Sequence, residues 1–228
     1  MYTNVNLAAP LGVMALLGTG FLLLVTVLLL IYSLAVRKFF LGRIALISML
    51  VIGGLYAGAI LILSFASSER VLGRGQEKHF CEIDCHLAYS VTETKQMKTI
   101  GAGPTQVTAN GTFTSLTIKT RFDETTIGPN RGNGQLYPNS RVLTLVDDQG
   151  RTYAPSAAGQ SALAASAATG TPLTAPLHPG DSYTTTVVFD LPADAKNVTL
   201  LINEGEWITH FVIGHENSLL HKKTRFQI

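Results

Sequence analysis

Two kinds of hydrophobic pattern divide the chain near residue 68. Residues 11 to 36, LGVMALLGTGFLLLVTVLLLIYSLAV, and residues 44 to 66, IALISMLVIGGLYAGAILILSFA, are apolar runs free of charge. Each exceeds the roughly 20 residues that cross the hydrocarbon core of a bilayer as a helix, a form in which every backbone polar group is satisfied within the segment. Only RKFFLGR, residues 37 to 43, separates them, which predicts an antiparallel hairpin whose two ends emerge on one side. The first run is longer than the core of a signal peptide and no Lys or Arg precedes it, so it is expected to persist as a helix.

From residue 69 the pattern changes to period two with turn punctuation. GTFTSLTIKTRF alternates, with Leu116, Ile118 and Phe122 on one face, and RVLTLVDDQGRTYAP reads as two strands around the turn Asp147 to Gly150. DSYTTTVVFDL, NVTLLI, EWITHFVI and LLHKKTRFQI supply further strand candidates. About seven short strands with no long amphipathic helix predict an antiparallel sandwich. Residues 156 to 176, rich in Ala, Ser, Thr and Gly, read as a long loop or one short helix, and residues 123 to 140 as a second loop. The expected fold class is therefore an α+β membrane protein: a two-helix anchor over residues 1–68, a linker over 69–76 and a β-sandwich over 77–228.

Composition sharpens this picture. The 228 residues are 46% hydrophobic and 14% charged, with a mean hydropathy of +0.28, too apolar for an ordinary soluble domain. Beyond residue 68 lie 14 basic residues against all 15 acidic ones, a formal charge of −1, so no basic stripe for nucleic acid is present. Arg37, Lys38 and Arg43 concentrate positive charge in the connector, which the positive-inside bias places in the cytoplasm, with both termini and the β-domain outside. Neither span carries an ionisable side chain of the kind that marks ion or proton paths. Gly54 and Gly58 form G-x-x-x-G, a close-approach face for the first helix or for a partner's helix.

The runs RVLTLVDDQGRTYAPS, LHPGDSYTTTVVFDLPADAKNVTLLI and HENSLLHKKTRFQI resemble the telokin-like, immunoglobulin-like β-sandwich domains of bacterial membrane proteins and lipoproteins, a family largely of unknown function. The likeness covers roughly residues 77 to 228. It implies extracytoplasmic placement and a binding or scaffolding role, and it supplies no catalytic residues.

The stretch HFCEIDCHLAYSV, residues 79 to 91, holds both cysteines and two of the six histidines. Its parity puts Cys81, Ile83, Cys85, Leu87, Tyr89 and Val91 on one face of a half-buried strand. A straight strand would hold Cys81 and Cys85 about 13 Å apart, beyond disulfide reach. If the segment coils before a strand starting at Leu87, the two thiols can instead close a small loop. A metal centre is a further alternative: Cys81-x3-Cys85, with His86, matches zinc-ligand spacing together with His210-x4-His215. C-x-x-x-C-H is one residue too long for usual haem attachment, and no methionine follows closely enough to favour a copper pair.

Elsewhere G-x-S-x-G, P-loop and dinucleotide motifs are absent, and the acids Glu204 and Glu206 read as solvated strand-end residues. The expectation is a non-enzymatic, two-pass protein of the cytoplasmic membrane, with no cofactor and no identified small-molecule substrate. Its extracytoplasmic module would bind or scaffold a protein partner, or serve a membrane complex, with Gly54, Gly58, Lys222 and Lys223 as candidate contacts. The alternative is a metal-handling or redox protein that uses zinc or copper at the Cys/His set.

Overall fold

The computed structural model of the protein describes residues 8–80, 86–126 and 131–228. Two compact units result, one made of the two helices with residues 206–222, the other of residues 69–205 and 223–228.

In the helical unit α1 spans Ala8–Ala35 and α2 spans Phe39–Ala66. The second helix begins five residues before the expected span, because the apolar run Phe39 to Gly42 continues through Arg43, whose long side chain is exposed and can lie along the helix surface. Only three residues connect the helices. Arg37 takes a left-handed conformation at φ 54°, the Lys38 N–H donates to the Ser33 carbonyl at 2.9 Å, and the Ser33 hydroxyl donates to the Lys38 carbonyl at 2.8 Å. Mostly small and polar residues make the seam: Thr26 and Ser33 of α1, seven apart, are buried, as are Gly42, Ala45 and Ser64 of α2, with Ile60 the one large apolar residue of α2 buried among them. A Cβ on Gly42 would come within 2.7 Å of the Ser33 hydroxyl, so small residues set how closely the backbones approach. Large apolar side chains point outward instead, Phe21, Leu55 and Phe65 among them.

The second unit is a β-sandwich. Its strands are β1 (Arg70–Leu72), β2 (Lys78–Phe80), β3 (Leu87–Ile100), β4 (Val107–Phe122), β5 (Arg141–Val146), β6 (Thr152–Tyr153), β7 (Ser182–Leu191), β8 (Thr199–Glu204) and β9 (Thr224–Gln227). One sheet runs β1-β9-β8-β5-β6 and the other β2-β3-β4-β7. All neighbours are antiparallel except β1 and β9. The alternation read from sequence places Leu116, Ile118 and Phe122 inward, where they meet Leu145, Leu200, Ile202 and Phe226 of the facing sheet. Burying each such side chain stabilises the fold by roughly 1.5–3 kcal/mol.

Two segments depart from the expected pattern. Arg70–Leu72, inside the stretch read as linker, pair with β9, and Leu72 packs on the core; three residues are too few to show a period. EWITHFVI forms a 3-10 turn at Trp207–Phe211 rather than a strand. Its Thr209 hydroxyl donates to the Glu206 carbonyl at 2.6 Å, a local bond that competes with strand pairing.

The loop of residues 156 to 176 contains α3 (Ala157–Ala165), capped by Ser156, whose hydroxyl accepts from the Gly159 N–H. The helix covers the outer face of β3, β4 and β7 through Ala162 and Leu163 against Phe113 and Val188. Gln160 completes the cover by donating to the Thr186 carbonyl at 3.1 Å and accepting the Val188 N–H at 3.2 Å, which satisfies the free edge of β7.

The DDQGRTY hairpin is held by Asp147. Its carboxylate accepts bonds from the Gln149 and Arg151 N–H groups, the Arg151 guanidinium at 2.6 Å and the Tyr153 hydroxyl at 2.8 Å. Burial by itself acts to raise its pKa; these bonds, Arg151 and Tyr153 foremost, outweigh burial and bring it down to about 2. A depressed carboxyl contributes stability that is present above its unfolded pKa, near 4, and is lost as pH falls through the folded value. Asp147→Asn is therefore expected to melt below the wild type at pH 7, with the gap narrowing between about pH 4 and pH 2. Thermal unfolding of both proteins across that range measures it; a gap independent of pH would contradict the assignment.

Candidate functional site

The cysteine-bearing stretch joins β2 to β3. Phe80 and Leu87 are register partners in this antiparallel pair, and β3 begins at Leu87. Cys81 and Cys85 lie outside the described residues. From Leu87 onward the parity holds, with Leu87, Tyr89 and Val91 in the core. The opposite face, expected to be solvated, is buried as well at His86, Ala88 and Ser90.

A charged network accounts for that burial. His79, Ala88 and Arg121 stand side by side across β2, β3 and β4, and the small Ala88 lets long side chains reach over β3. Arg121 makes a bidentate pair with Glu77 at 2.8 and 2.7 Å and contacts Asp123 at 3.3 Å. His79 Nε2 lies 3.0 Å from the other Asp123 oxygen, and the Thr125 hydroxyl and N–H donate to Asp123 at 2.7 and 3.0 Å. Burial acts to raise the Asp123 pKa, but the bonds from Thr125, His79 and Arg121 prevail and hold it far below the carboxylate range. The Arg121 hydrogen bonds lower Glu77 likewise, and Arg121 itself is raised, chiefly by Glu77. All three charges are thus locked on. His86 stacks on Phe122 with ring centres 5.2 Å apart and 11° between planes, while its carbonyl accepts the Asp123 N–H at 2.7 Å. The signal in the sequence was the pair of alternating doublets, Glu77 with His79 and Arg121 with Asp123, on strands two apart.

His210 and His215 belong to the helical unit, where both serve Asn217. His210 Nδ1 donates to the Asn217 carbonyl at 2.6 Å, and His215 Nδ1 accepts the Asn217 N–H at 3.0 Å. The Asn217 amide donates in turn to the Thr209 hydroxyl at 3.1 Å. Among the described residues no group of three or more His, Cys, Asp or Glu gathers to hold a metal ion.

Of the candidate contacts, Gly54 and Gly58 have open space where a Cβ would stand. The hairpin seam therefore runs elsewhere on α2, and among the described residues nothing packs where those Cβ atoms would stand. Lys222 is exposed, its N–H bonded to the Ser67 hydroxyl at 2.9 Å, and the Lys223 carbonyl accepts the Arg70 N–H at 3.5 Å, where β1 meets β9.

A second charged cluster, unforeseen from sequence, sits inside the sandwich. Lys78 donates to the Ile202 carbonyl of the facing sheet at 2.8 Å. The Arg141 guanidinium lies 4.2 Å from the centre of the Phe80 ring and 3.6 Å from Glu204, with side-chain exposures of 0% and 6% for the ion pair. These groups tie the two sheets together.

No family model and no curated protein matches the chain. Among solved structures, it is similar to the secreted protein MPT63 of Mycobacterium tuberculosis, at 14% identity over 71% of this chain and 98% of that one, TM-score 0.42. It is similar to the yjhA protein of Bacillus subtilis, at 10% identity over 68% and 98%, TM-score 0.43. An uncharacterised β-sandwich protein of Clostridium difficile aligns at 8% identity over 71% and 95%, TM-score 0.40.

Proposed function

We propose that the chain is a membrane-anchored, extracytoplasmic module of immunoglobulin-like type that binds or scaffolds a protein partner, as an accessory subunit of a cytoplasmic-membrane complex. The hairpin is the anchor, with Arg37, Lys38 and Arg43 on the cytoplasmic side. The observation that carries the reading is the seam of α1 and α2, which buries Thr26, Ser33 and Ser64 while large apolar residues face outward. Such an inverted helix pair suits lipid, where small and polar residues hold helices together. The role is non-catalytic: Glu77, His79, Arg121 and Asp123 are spent on one another. The G-x-x-x-G face of Gly54 and Gly58, open among the described residues, supports a partner helix in the bilayer.

The full chain purified in mild detergent is expected to bring a membrane partner with it. Gly54→Leu with Gly58→Leu should leave the melting of the chain itself unchanged and reduce recovery of that partner by on the order of tenfold. A chain that is monomeric and alone in every mild detergent would overturn the proposal.

A further inference from the structure

Residues 206–222 leave the sheet after β8, return before β9 and form one compact unit with the helical hairpin. The segment is a chain of tight turns, in which the N–H groups of Thr209, Val212, His215, Ser218 and His221 each donate to the carbonyl three residues earlier. Its buried residues are mostly polar: Thr209, Asn217 and Ser218, at 9%, 5% and 2% exposure, with Val212 beside them. Its exposed side chains include the large apolar Trp207, Ile208, Phe211, Leu219 and Leu220, at 68, 42, 49, 62 and 59%, alongside Glu206, His210 and Lys222. Leu220 takes a left-handed backbone at φ 63°, a conformation that leucine rarely adopts. A loop facing water has the opposite arrangement.

Two contacts fix its depth along the hairpin. The Tyr56 hydroxyl of α2 donates to the Phe211 carbonyl at 2.7 Å, and at Gly12 of α1 a Cβ would stand only 2.5 Å from the Ile213 carbonyl. At 1.5 Å per residue, Tyr56 lies about 26 Å from the start of α2, and Gly12 about 35 Å from the end of α1. With the basic connector at one surface, these positions bracket the far edge of a hydrocarbon core about 30 Å thick. That is the level at which amphipathic aromatic rings settle, apolar body in the acyl region and polar tip toward the headgroups.

We infer that residues 206–222 are an interfacial membrane-binding element, which lays Trp207, Ile208, Phe211, Leu219 and Leu220 into the acyl–headgroup boundary of the leaflet opposite the helical connector. The partner of this surface is the lipid bilayer. The inference rests on the membrane-anchor reading, and the element would tie the sandwich to that leaflet at a second place besides the junction after α2.

Trp207 is the only tryptophan of the chain, so its fluorescence reports this element directly. The full-length protein is reconstituted in phosphatidylcholine vesicles that carry bromine either near the headgroup end of the acyl chains or near their tips. Quenching by the shallow label of about twofold, and clearly less by the deep one, is expected for a ring at the interface. Emission insensitive to both labels would overturn the inference, whether iodide in the water quenches the ring or a protein contact shields it. A second protein, Trp207→Phe with Leu24→Trp, reports the anchor separately, because Leu24 is exposed on α1 about 16 Å from the connector. Deep-label quenching of that reporter alongside an unquenched Trp207 defeats the interfacial element and spares the anchor; an unquenched reporter defeats both.

Discussion

Glu204→Leu is expected to destabilise the sandwich by about 3 kcal/mol, because it removes the carboxylate that faces the Arg141 guanidinium inside the fold. Arg141 is wholly buried, 3.6 Å from Glu204, and its position over Phe80 is fixed by packing between the sheets. The Tyr89 hydroxyl, which accepts from Arg141 Nε at 3.3 Å, and the aromatic contact offset only part of that loss. Arg141→Met with Glu204→Leu removes both charges and fills similar volume, so the double variant should recover to within about 1.5 kcal/mol of the wild type. Chemical unfolding of the wild type, both single variants and the double variant closes the cycle. If Glu204→Leu proved as mild as the double variant, the ion pair would not be a structural element of the core.

Gly111→Ala is the second large effect, a loss of about 3 kcal/mol that lowers the melting temperature by roughly 6–12 °C for a domain of this size. In β4 the pairing with β3 jumps between Met97↔Phe113 and Thr99↔Thr108, so β4 bulges over residues 109–112. Lys98 fills the bulge, donating to the carbonyls of Ala109 and Gly111 at 2.9 and 2.7 Å. The Asp190 carboxylate accepts the Asn110 and Gly111 N–H groups at 2.9 and 3.0 Å. A Cβ on Gly111 would stand 1.9 Å from the Leu191 carbonyl oxygen and 2.8 Å from the Pro192 Cα, both backbone atoms that cannot rotate away. Relief requires β7 to part from β4 at the bulge. Calorimetry measures the shift, and protection of the β7 amides from exchange locates it; an alanine variant that melts with the wild type would show that the bulge adjusts freely.

The two spans, the alternating faces of β4 and β7 and the Asp147 hairpin were all legible in the residues, because each rests on local periodicity or on turn chemistry within a few positions. The candidate site was legible only in outline. His86 was a candidate from sequence, whereas Glu77, Arg121 and Asp123 were not, because their meeting across Ala88 depends on the pairing of three strands. Likewise His210 and His215, spaced as metal ligands, are committed to Asn217 by a turn series whose register no spacing reveals. Thr26 and Ser33 lie inside an apolar run, and the G-x-x-x-G signature stands on a different face of α2 from the seam they join.

Sequence alone determined the local form of each part of the chain: charge-free apolar length for two helices, and alternation for strands with one face toward a core. These are transfer and backbone-satisfaction requirements, felt by each segment without its neighbours. Only the tertiary structure decided which polar groups close on one another and which apolar side chains remain outside. Such pairings bring together residues far apart in the chain, Lys78 with Ile202 and Tyr56 with Phe211, and their energies exist only once both surroundings are built.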